Sequence, residues 1–267
     1  MKRFKRQFPA FRSLTCPSLS LLVILGVISL SFPGSTEAEV VEEFQSFRNG
    51  QSLYIKGGNW VKYGGADYVQ PRGNTAIVRS DNGRRYVSLV SHGHETVNAR
   101  AYRNVTIPVS GTHNNKISGE IRFATPDMPL ERPTGVLISL NANRGGKFDP
   151  SGGLSMGVFV EGGDPVFFFS FGSKTEGKMT SRPDQVKVNP ESWYRFEAEL
   201  DPAQGRANFS VYELGEGGET KVWSGSNAGL SSYTPEEFYQ VNLIVTRPGK
   251  QEFQRRSADF GNIRITQ

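Results

Sequence analysis

The sequence predicts an all-β protein, a two-layer antiparallel β-sandwich of the jelly-roll type. Apolar and polar residues alternate with a period of two through most of the chain, whereas the 3.6-residue period of amphipathic helices is nearly absent. Clusters of Gly, Asn, Asp and Pro separate the alternating segments, as in antiparallel hairpins. No blade-like motif repeats along the chain, which argues against a propeller.

The predicted strands follow this alternation along the chain. Lys116–Phe123, Trp193–Leu200 and Ala207–Glu213 each have one apolar face for the core and one polar face for solvent. The Phe167-Phe168-Phe169 run predicts a strand that is buried on both faces. The other predicted strands are Glu42–Phe47, Asp67–Gln70, Thr75–Arg79, Arg85–Val90, Arg100–Ile107, Gly135–Ala142, Leu154–Glu161, Val166–Phe171, Gln240–Thr246 and Ala258–Thr266.

The two terminal strands are expected to pair. Both Glu42–Phe47 and Ala258–Thr266 alternate, and pairing them would remove an exposed sheet edge. Gly261 interrupts the period between Phe260 and Ile263, which is typical of a β-bulge.

The N-terminus reads as a secretory signal peptide. Five basic residues precede an apolar run, Leu19–Phe32, that is short for a membrane span, and small residues, Thr36 and Ala38, stand before a predicted cleavage site at Glu39. We therefore expect residues 1–38 to be removed and residues 39–267 to form one secreted or periplasmic domain, with no membrane association after cleavage. The alternative is an uncleaved N-terminal anchor.

The positive charge belongs mostly to that leader. The chain has 31 basic and 26 acidic residues; residues 1–38 hold five of the bases and one acid, which leaves 26 and 25. A net charge near +1 argues against nucleic acid as a partner of the mature domain. Cys16 is the only cysteine, so the mature domain has no disulfide.

Five segments together carry a family likeness. They are Phe44-Gln45-Ser46-Phe47, Gly57-Gly58-Asn59-Trp60, Tyr86-Val87-Ser88-Leu89, Trp193-Tyr194-Arg195-Phe196 and Asp259-Phe260-Gly261-Asn262-Ile263-Arg264-Ile265. Through them the mature chain resembles the concanavalin A-like lectin/glucanase superfamily, in particular its laminin-G-like bacterial branch. The resemblance implies paired terminal strands and a concave sheet face that often binds glycans. That fold hosts lectins, hydrolases, lyases and structural modules, so function depends on the site.

Two groups of residues offer catalytic chemistry. Glu197, Glu199 and Asp201 alternate on one strand, so their carboxylates share a face, as in glycosidases of this fold. The glycosidase order is Glu, Asp, Glu, however, and the alternative is a solvated outer face that also carries Arg195. A lyase would use a neutralising Arg, Gln or Asn and a Tyr or His base. The candidates for that chemistry are His92, His94, Arg100, Tyr102 and Arg103, although they lie in an apparent loop and an alternating strand.

Aromatic and polar side chains favour sugar binding instead, because sugar rings stack on aromatic rings and polar groups bind their hydroxyls. The Gly-rich segment around Trp60 is expected to be exposed. The alternative for each aromatic residue is a core position. The predicted glycan-binding residues are Trp60, Tyr63, Tyr68, Asn141, Asn143, Arg144, Asp149 and Trp193.

The resemblance also implies a structural Ca²⁺ where the terminal strands meet, with Glu42, Glu43 and Asp259 as the matching ligands. The alternative is that these are surface carboxylates beside a strand end. No other cofactor is expected.

The sequence contains no Gly-x-Ser-x-Gly, P-loop or dinucleotide-binding motif in a fitting context. The leading hypothesis is an exported, non-catalytic carbohydrate-binding module with a glycan as partner. The alternatives are a polysaccharide-active enzyme of the same fold, either hydrolase or lyase, and a structural or protein-binding envelope module.

Overall fold

In the computed structural model, every regular element that is described is a β-strand. The described residues are 40–55, 58–62, 75–91, 99–109, 115–123, 134–141, 153–161, 164–171, 178–182, 185–201, 204, 206–228, 237–245 and 256–266. The strands are β1 Val40–Glu42, β2 Trp60–Lys62, β3 Thr75–Asp81, β4 Arg84–Ser91, β5 Ala99–Pro108, β6 Asn115–Arg122, β7 Thr134–Asn141, β8 Gly153–Glu161, β9 Asp164–Phe171, β10 Lys178–Thr180, β11 Trp193–Asp201, β12 Arg206–Gly215, β13 Gly218–Ala228, β14 Glu237–Val245 and β15 Arg256–Thr266.

The strands form two antiparallel sheets that share one hydrophobic core. Sheet A has eight strands: seven in the order β13-β12-β11-β6-β15-β4-β3, with β1 beside β15. Sheet B has seven, in the order β10-β9-β8-β7-β14-β5-β2. The main core cluster draws residues from both sheets, such as Phe196 of β11 and Phe169 of β9. The predicted two-layer antiparallel sandwich is confirmed.

The terminal strands pair as predicted, but the first strand is earlier and shorter. Val40 lies opposite Ile265 and Glu42 opposite Ile263. Residues 44–47 form a turn rather than a strand, because Phe44 has a φ of 56° and its carbonyl accepts a hydrogen bond from the Phe47 amide at 3.2 Å.

The bulge predicted at Gly261 is also present. The register between β15 and β6 shifts between Phe260 and Ile263. A Cβ atom on Gly261 would lie only 2.3 Å from Oε2 of Glu120 on β6, so glycine fits this close approach and a larger residue would displace the carboxylate.

Aromatic rings fill the centre of the core. The Phe169 ring lies 4.5 Å from the Phe209 ring and stacks at 5.5 Å on Trp223, while Phe167 meets Tyr194 edge-on at 5.1 Å. Such rings contribute about 3–5 kcal/mol each when truncation to alanine is the measure. Phe168 is buried as well, at 9% exposure, which confirms the strand predicted to be buried on both faces.

The central strands of sheet B are therefore buried on the face that points away from the core. Part of this face is apolar, where Leu137, Phe168 and Ile244 form a second, smaller cluster with Phe159. The remainder is polar. Among the described residues there is no helix with the length and apolarity needed to cross a membrane. The predicted strand Asp67–Gln70 lies outside the described residues.

Candidate functional site

The outer face of sheet B carries polar side chains in two rows across its strands. These residues alternate with core residues such as Ala101, Val241 and Ile138. Register places the first row as Tyr102, Asn242, Ser139, Ser155 and Ser170 on β5, β14, β7, β8 and β9, and the second row as Asn104, Gln240 and Asn141 on β5, β14 and β7. We call these the polar rows.

Hydrogen bonds connect the polar rows to Arg100, which precedes them on β5. Its Nε donates to Oδ1 of Asn242 at 2.7 Å, and its Nη2 donates to Oε1 of Gln240 at 3.0 Å. The Gln240 Nε2 donates to Oδ1 of Asn104 at 3.2 Å. The Gln240 and Asn242 amides therefore each accept from the guanidinium through the oxygen and donate to a further acceptor through the nitrogen, which fixes their orientation.

The first row continues toward the middle of the sheet. Nδ2 of Asn242 donates to the carbonyl oxygen of Ser139 at 3.1 Å, and the hydroxyls of Ser139 and Ser155 lie 2.8 Å apart. Arg100 and five members of the rows therefore form a connected network rather than separate pairs. These five are Asn104, Gln240, Asn242, Ser139 and Ser155.

Burial varies along the rows. Asn242, Arg100 and Gln240 are only 0%, 4% and 5% exposed, whereas Asn104 is exposed and Tyr102 is half-buried. Val61, opposite Tyr102 in register, is 39% exposed. The network therefore reaches solvent at its β5 end, where an aromatic ring, an amide and an apolar side chain lie side by side.

Burying amides, hydroxyls and a guanidinium costs free energy unless each finds a partner. The same face is apolar at Leu137 and Ile244, so apolar residues can occupy this face of the sheet. Buried polar residues at positions where apolar residues would fit tend to mark functional sites. The β5 end of the polar rows is accordingly the candidate site.

The predicted glycan-binding residues do not all lie at this site. Asn141 belongs to the second polar row and is buried. Trp60 is 3% exposed and faces the core, so the expectation that it is exposed is wrong. Its Nε1 donates to Oε2 of Glu42 at 3.1 Å, and its ring lies 6.0 Å from that of Phe44. Tyr63, Tyr68, Asn143, Arg144 and Asp149 lie outside the described residues.

The residues predicted for lyase chemistry also lie in different places. Arg100 and Tyr102 share the outer face, and the Arg100 Cζ lies 5.4 Å from the Tyr102 ring centroid. Arg103 projects from the other side of β5 and forms an ion pair with Glu42 at 3.0 Å. His92 and His94 lie outside the described residues. Gln240 and Asn242 were not anticipated, although their alternation with Val241 and Leu243 was visible in the sequence.

The outer face of sheet A is charged instead. Glu197, Glu199 and Asp201 do share this face of β11, as the alternation predicts. Glu197 is paired with Lys116 at 3.0 Å and with Arg195 at 3.4 Å, which is the arrangement of a solvated ion-pair surface. A groove of about 400 Å³ runs along this face. It is lined by Glu43, Lys116, Ser118, Glu120, Arg195, Glu219, Asn262, Ile263, Arg264 and Thr266.

Trp193 also lies on the outer face of sheet A and is half-buried. The Cζ atoms of Arg84 and Arg122 lie 5.0 and 5.1 Å from its ring centroid, and the Tyr86 ring meets it edge-on at 5.4 Å. A guanidinium within about 6 Å of an indole interacts favourably with the ring. Trp193 is therefore part of a cation–aromatic cluster, remote from the polar rows.

The three carboxylates proposed for Ca²⁺ are held apart. Glu42 lies opposite Ile263, and Asp259 lies opposite Arg122 and Ser88. Burial raises the pKa of Asp259, and the hydrogen bonds from Arg122 oppose that rise. The described part of the chain contains no group of three or more His, Cys, Asp or Glu side chains placed to hold a metal. The arginines paired with Glu42, Glu43 and Asp259 are Arg103, Arg264 and Arg122.

Comparison with known proteins identifies the fold. No family model and no curated protein matches the chain. Among solved structures, lectin I from Ulex europaeus in complex with the methyl glycoside of α-L-fucose is 12% identical, with a TM-score of 0.54 over 85% of this chain and 97% of that one. Alginate lyase Aly36B is 9% identical, with a TM-score of 0.53 over 86% and 96%.

An endo-1,3-β-glucanase from Streptomyces sioyaensis is 13% identical, with a TM-score of 0.53 over 88% of this chain and 97% of that one. These similarities extend over most of this chain and nearly all of each solved structure. At such low sequence identities they show a shared architecture but not a shared activity. The chain therefore has a concanavalin A-like β-sandwich fold.

Proposed function

We propose that this chain is an exported glycan-binding protein that recognises a sugar chain at the β5 end of the polar rows without cleaving it. The observation that carries the proposal is the network of Arg100, Gln240, Asn242 and Asn104 on a sheet face that does not pack on the core. Amide and guanidinium groups in fixed orientations match the donors and acceptors that sugar hydroxyls present.

Each accessible group has a distinct part in this proposal. The half-buried Tyr102 ring and the exposed Val61 offer an apolar surface to the C–H face of a sugar. The oxygen of the exposed Asn104 amide accepts from Gln240, and its Nδ2 has no hydrogen-bond partner among the described residues. Arg100 and Asn242, which are buried, position these groups rather than meeting solvent.

Preorganisation supports binding at this place. The amide oxygens and nitrogens of Gln240 and Asn242 already have partners before any ligand arrives. A ligand therefore orders few additional side chains when it binds, and less of the interaction free energy is lost to entropy.

A second candidate function is polysaccharide lysis by β-elimination, favoured by the proximity of Tyr102 to Arg100 at 5.4 Å. In that reaction the exposed Asn104 amide would bind a uronate carboxylate, and the positive charge of the nearby Arg100 guanidinium would help to neutralise it, which acidifies the adjacent C–H bond. The tyrosine oxygen, acting as the base, would take that proton, and the glycosidic C–O bond on the next carbon would break to leave a carbon–carbon double bond. The same proton would then pass from the tyrosine to the departing oxygen, which becomes the free hydroxyl end.

Retention on a panel of immobilised polysaccharides, followed by product analysis, tests both candidates. Retention without products, reduced by Tyr102→Ala with Asn104→Ala, supports the binding function. Unsaturated uronate products that disappear with Tyr102→Phe would establish the lyase instead. No retention on any polysaccharide would refute both and favour a structural or protein-binding envelope module.

A further inference from the structure

The cation–aromatic cluster on the outer face of sheet A contains two arginines in different situations. Arg122 donates from Nε and Nη2 to Oδ2 of Asp259 at 3.0 and 2.7 Å, so its polar edge is occupied. Arg84 stacks on Trp193, and no carboxylate of the described residues lies within 4.0 Å of its guanidinium. The contact holds the Arg84 guanidinium over the indole ring at 5.0 Å from its centroid and leaves its N–H groups available to a further partner.

A third arginine lies beside this pair. Arg79 is exposed and lies opposite Tyr86 across the β3–β4 ladder, and it also has no carboxylate of the described residues within 4.0 Å. Two carboxylates face the three guanidiniums: Asp81 lies opposite Arg84 in register, and Asp259 pairs with Arg122 and interacts electrostatically with Arg79. One positive charge is therefore left in excess on this part of the surface. An oxyanion, either a planar carboxylate or a tetrahedral sulfate, is the ligand that such guanidinium edges bind best.

The groove on sheet A leads up to this cluster. Glu120, which lines the groove, is two residues before Arg122 on β6 and shares its face, a separation of about 7 Å. The groove also presents Ser118, Asn262 and Thr266, whose hydroxyls and amide can bind sugar hydroxyls. Its three cationic and three anionic side chains balance: Lys116, Arg195 and Arg264 against Glu43, Glu120 and Glu219.

We propose that the outer face of sheet A holds a second glycan-binding site, in which Arg84 and Arg79 bind one carboxylate or sulfate group of an acidic sugar. The edges of Trp193 and Tyr86 contact the sugar ring, and the neighbouring residues of the chain lie in the groove. This site shares no residue with the polar rows, so it does not depend on the function proposed for them.

The charge distribution favours an acidic polysaccharide over a nucleic acid. A nucleic acid carries a phosphate at every residue and is bound by extended basic stripes. Here the excess charge is confined to Arg79 and Arg84, and a polyanion continuing along the groove would meet Glu120 and Glu219. A polysaccharide in which acidic and neutral sugars alternate fits this pattern.

Calorimetric titration tests the site with an oligosaccharide of alternating glucuronate and N-acetylglucosamine. Its carboxyl-reduced analogue, a sulfated neutral oligosaccharide and a single-stranded DNA oligomer serve as comparison ligands. Measuring in the Tyr102→Ala, Asn104→Ala background isolates the sheet A site from the polar rows. We expect the reduced analogue to bind at least about 10-fold more weakly than the acidic one, because charge-assisted hydrogen bonds are lost.

Arg84→Gln is the decisive variant, with an expected loss of about 10-fold in affinity for the acidic oligosaccharide. Arg206→Gln, an exposed arginine elsewhere on sheet A, is the matched control and is expected to change affinity by less than about 2-fold. If Arg84→Gln alters the melting temperature, Arg79→Gln replaces it, because Arg79 is exposed whereas Arg84 is half-buried.

The sulfated ligand distinguishes the two oxyanions: tighter binding than the uronate assigns the site to a sulfate group, and weaker binding assigns it to a carboxylate. Three results would overturn the proposal. They are equal binding of the acidic and reduced oligosaccharides, equal losses for Arg84→Gln and Arg206→Gln, or tighter binding of the DNA oligomer than of both acidic sugars.

Discussion

The outer faces of the two sheets both carry polar side chains, but they differ in the charge and the burial of those side chains. The outer face of sheet B is built from neutral amides and hydroxyls around Arg100, and most of these side chains are buried. The outer face of sheet A is built from ion pairs such as Lys116–Glu197, whose lysine is 51% exposed. Polar residues alternate with core residues on both, so the alternation does not tell which polar face is buried.

This difference sets how much each side chain matters for stability. A buried polar group that loses its partner keeps its full desolvation cost, whereas an exposed charge regains water. Substitutions on the outer face of sheet B are therefore expected to destabilise the protein more than matched substitutions on the outer face of sheet A, with one exception.

The exception is the Arg122–Asp259 pair, because Asp259 is 3% exposed although it lies on sheet A. Arg122→Met leaves that carboxylate without its main partner, and we expect a loss of about 3 kcal/mol in the free energy of unfolding at neutral pH. Arg206→Met is the exposed control. Denaturant unfolding monitored by fluorescence measures both.

The pH dependence of that loss checks its cause. Burial raises the pKa of Asp259, and removing Arg122 raises it further. The variant thus takes up a proton on this carboxyl at a higher pH than the wild type does, and the destabilisation shrinks as the pH falls toward about 4. A deficit that is the same at all pH values would assign the effect to packing instead of charge.

Asn242→Ala tests the polar rows and is expected to cost about 2 kcal/mol. The substitution removes the acceptor for Nε of the buried Arg100 and the donor to the Ser139 carbonyl. Asn208→Ala, on the exposed side of β12, is the matched change and is expected to stay within about 0.5 kcal/mol. Equal losses of stability in the two variants would contradict the claim that polar side chains matter more for stability on the outer face of sheet B than on that of sheet A.

Ser139→Ala is expected to cost about 1 kcal/mol, because the Ser155 hydroxyl 2.8 Å away loses its partner. Adding Ser155→Ala removes both partners, so the double variant should be less destabilised than the sum of the two single variants. Thermal unfolding of the wild type, the two single variants and the double variant completes this double-mutant cycle. Strict additivity would mean that the two hydroxyls do not interact.

Glu197→Ala is expected to have the smallest effect, below about 1 kcal/mol, and that effect should decrease with added salt. Its partners Lys116 and Arg195 keep access to solvent. A salt-independent loss of several kcal/mol would show that the outer face of sheet A is organised like that of sheet B.

Sequence patterns predicted the architecture well where local geometry decides it. The period-two alternation of Trp193–Leu200, the bulge at Gly261 and the doubly buried Phe167–Phe169 run are all present. Strand β13 was not predicted, because its Gly and Ser residues have low strand propensity; it forms through its ladder with β12.

The candidate site was harder to predict than the fold. Trp60 was assigned to an exposed segment from its glycine neighbours, but its partners Glu42 and Phe44 come from elsewhere in the chain. Gln240 and Asn242 become a site only because β14 lies between β5 and β7. Strand order depends on contacts between distant segments, and a single sequence does not display them.

Glycan affinity in paired variants of the two faces tests the central claim most directly. The ligand is a neutral polysaccharide that the wild-type protein retains, so the acidic-sugar site proposed on sheet A does not contribute. We predict that Tyr102→Ala with Asn104→Ala weakens binding at least about 10-fold, whereas Glu197→Ala with Glu199→Ala changes it by less than about 2-fold. Loss of binding in the Glu197 and Glu199 pair, with binding intact in the Tyr102 and Asn104 pair, would contradict the assignment of the site to sheet B.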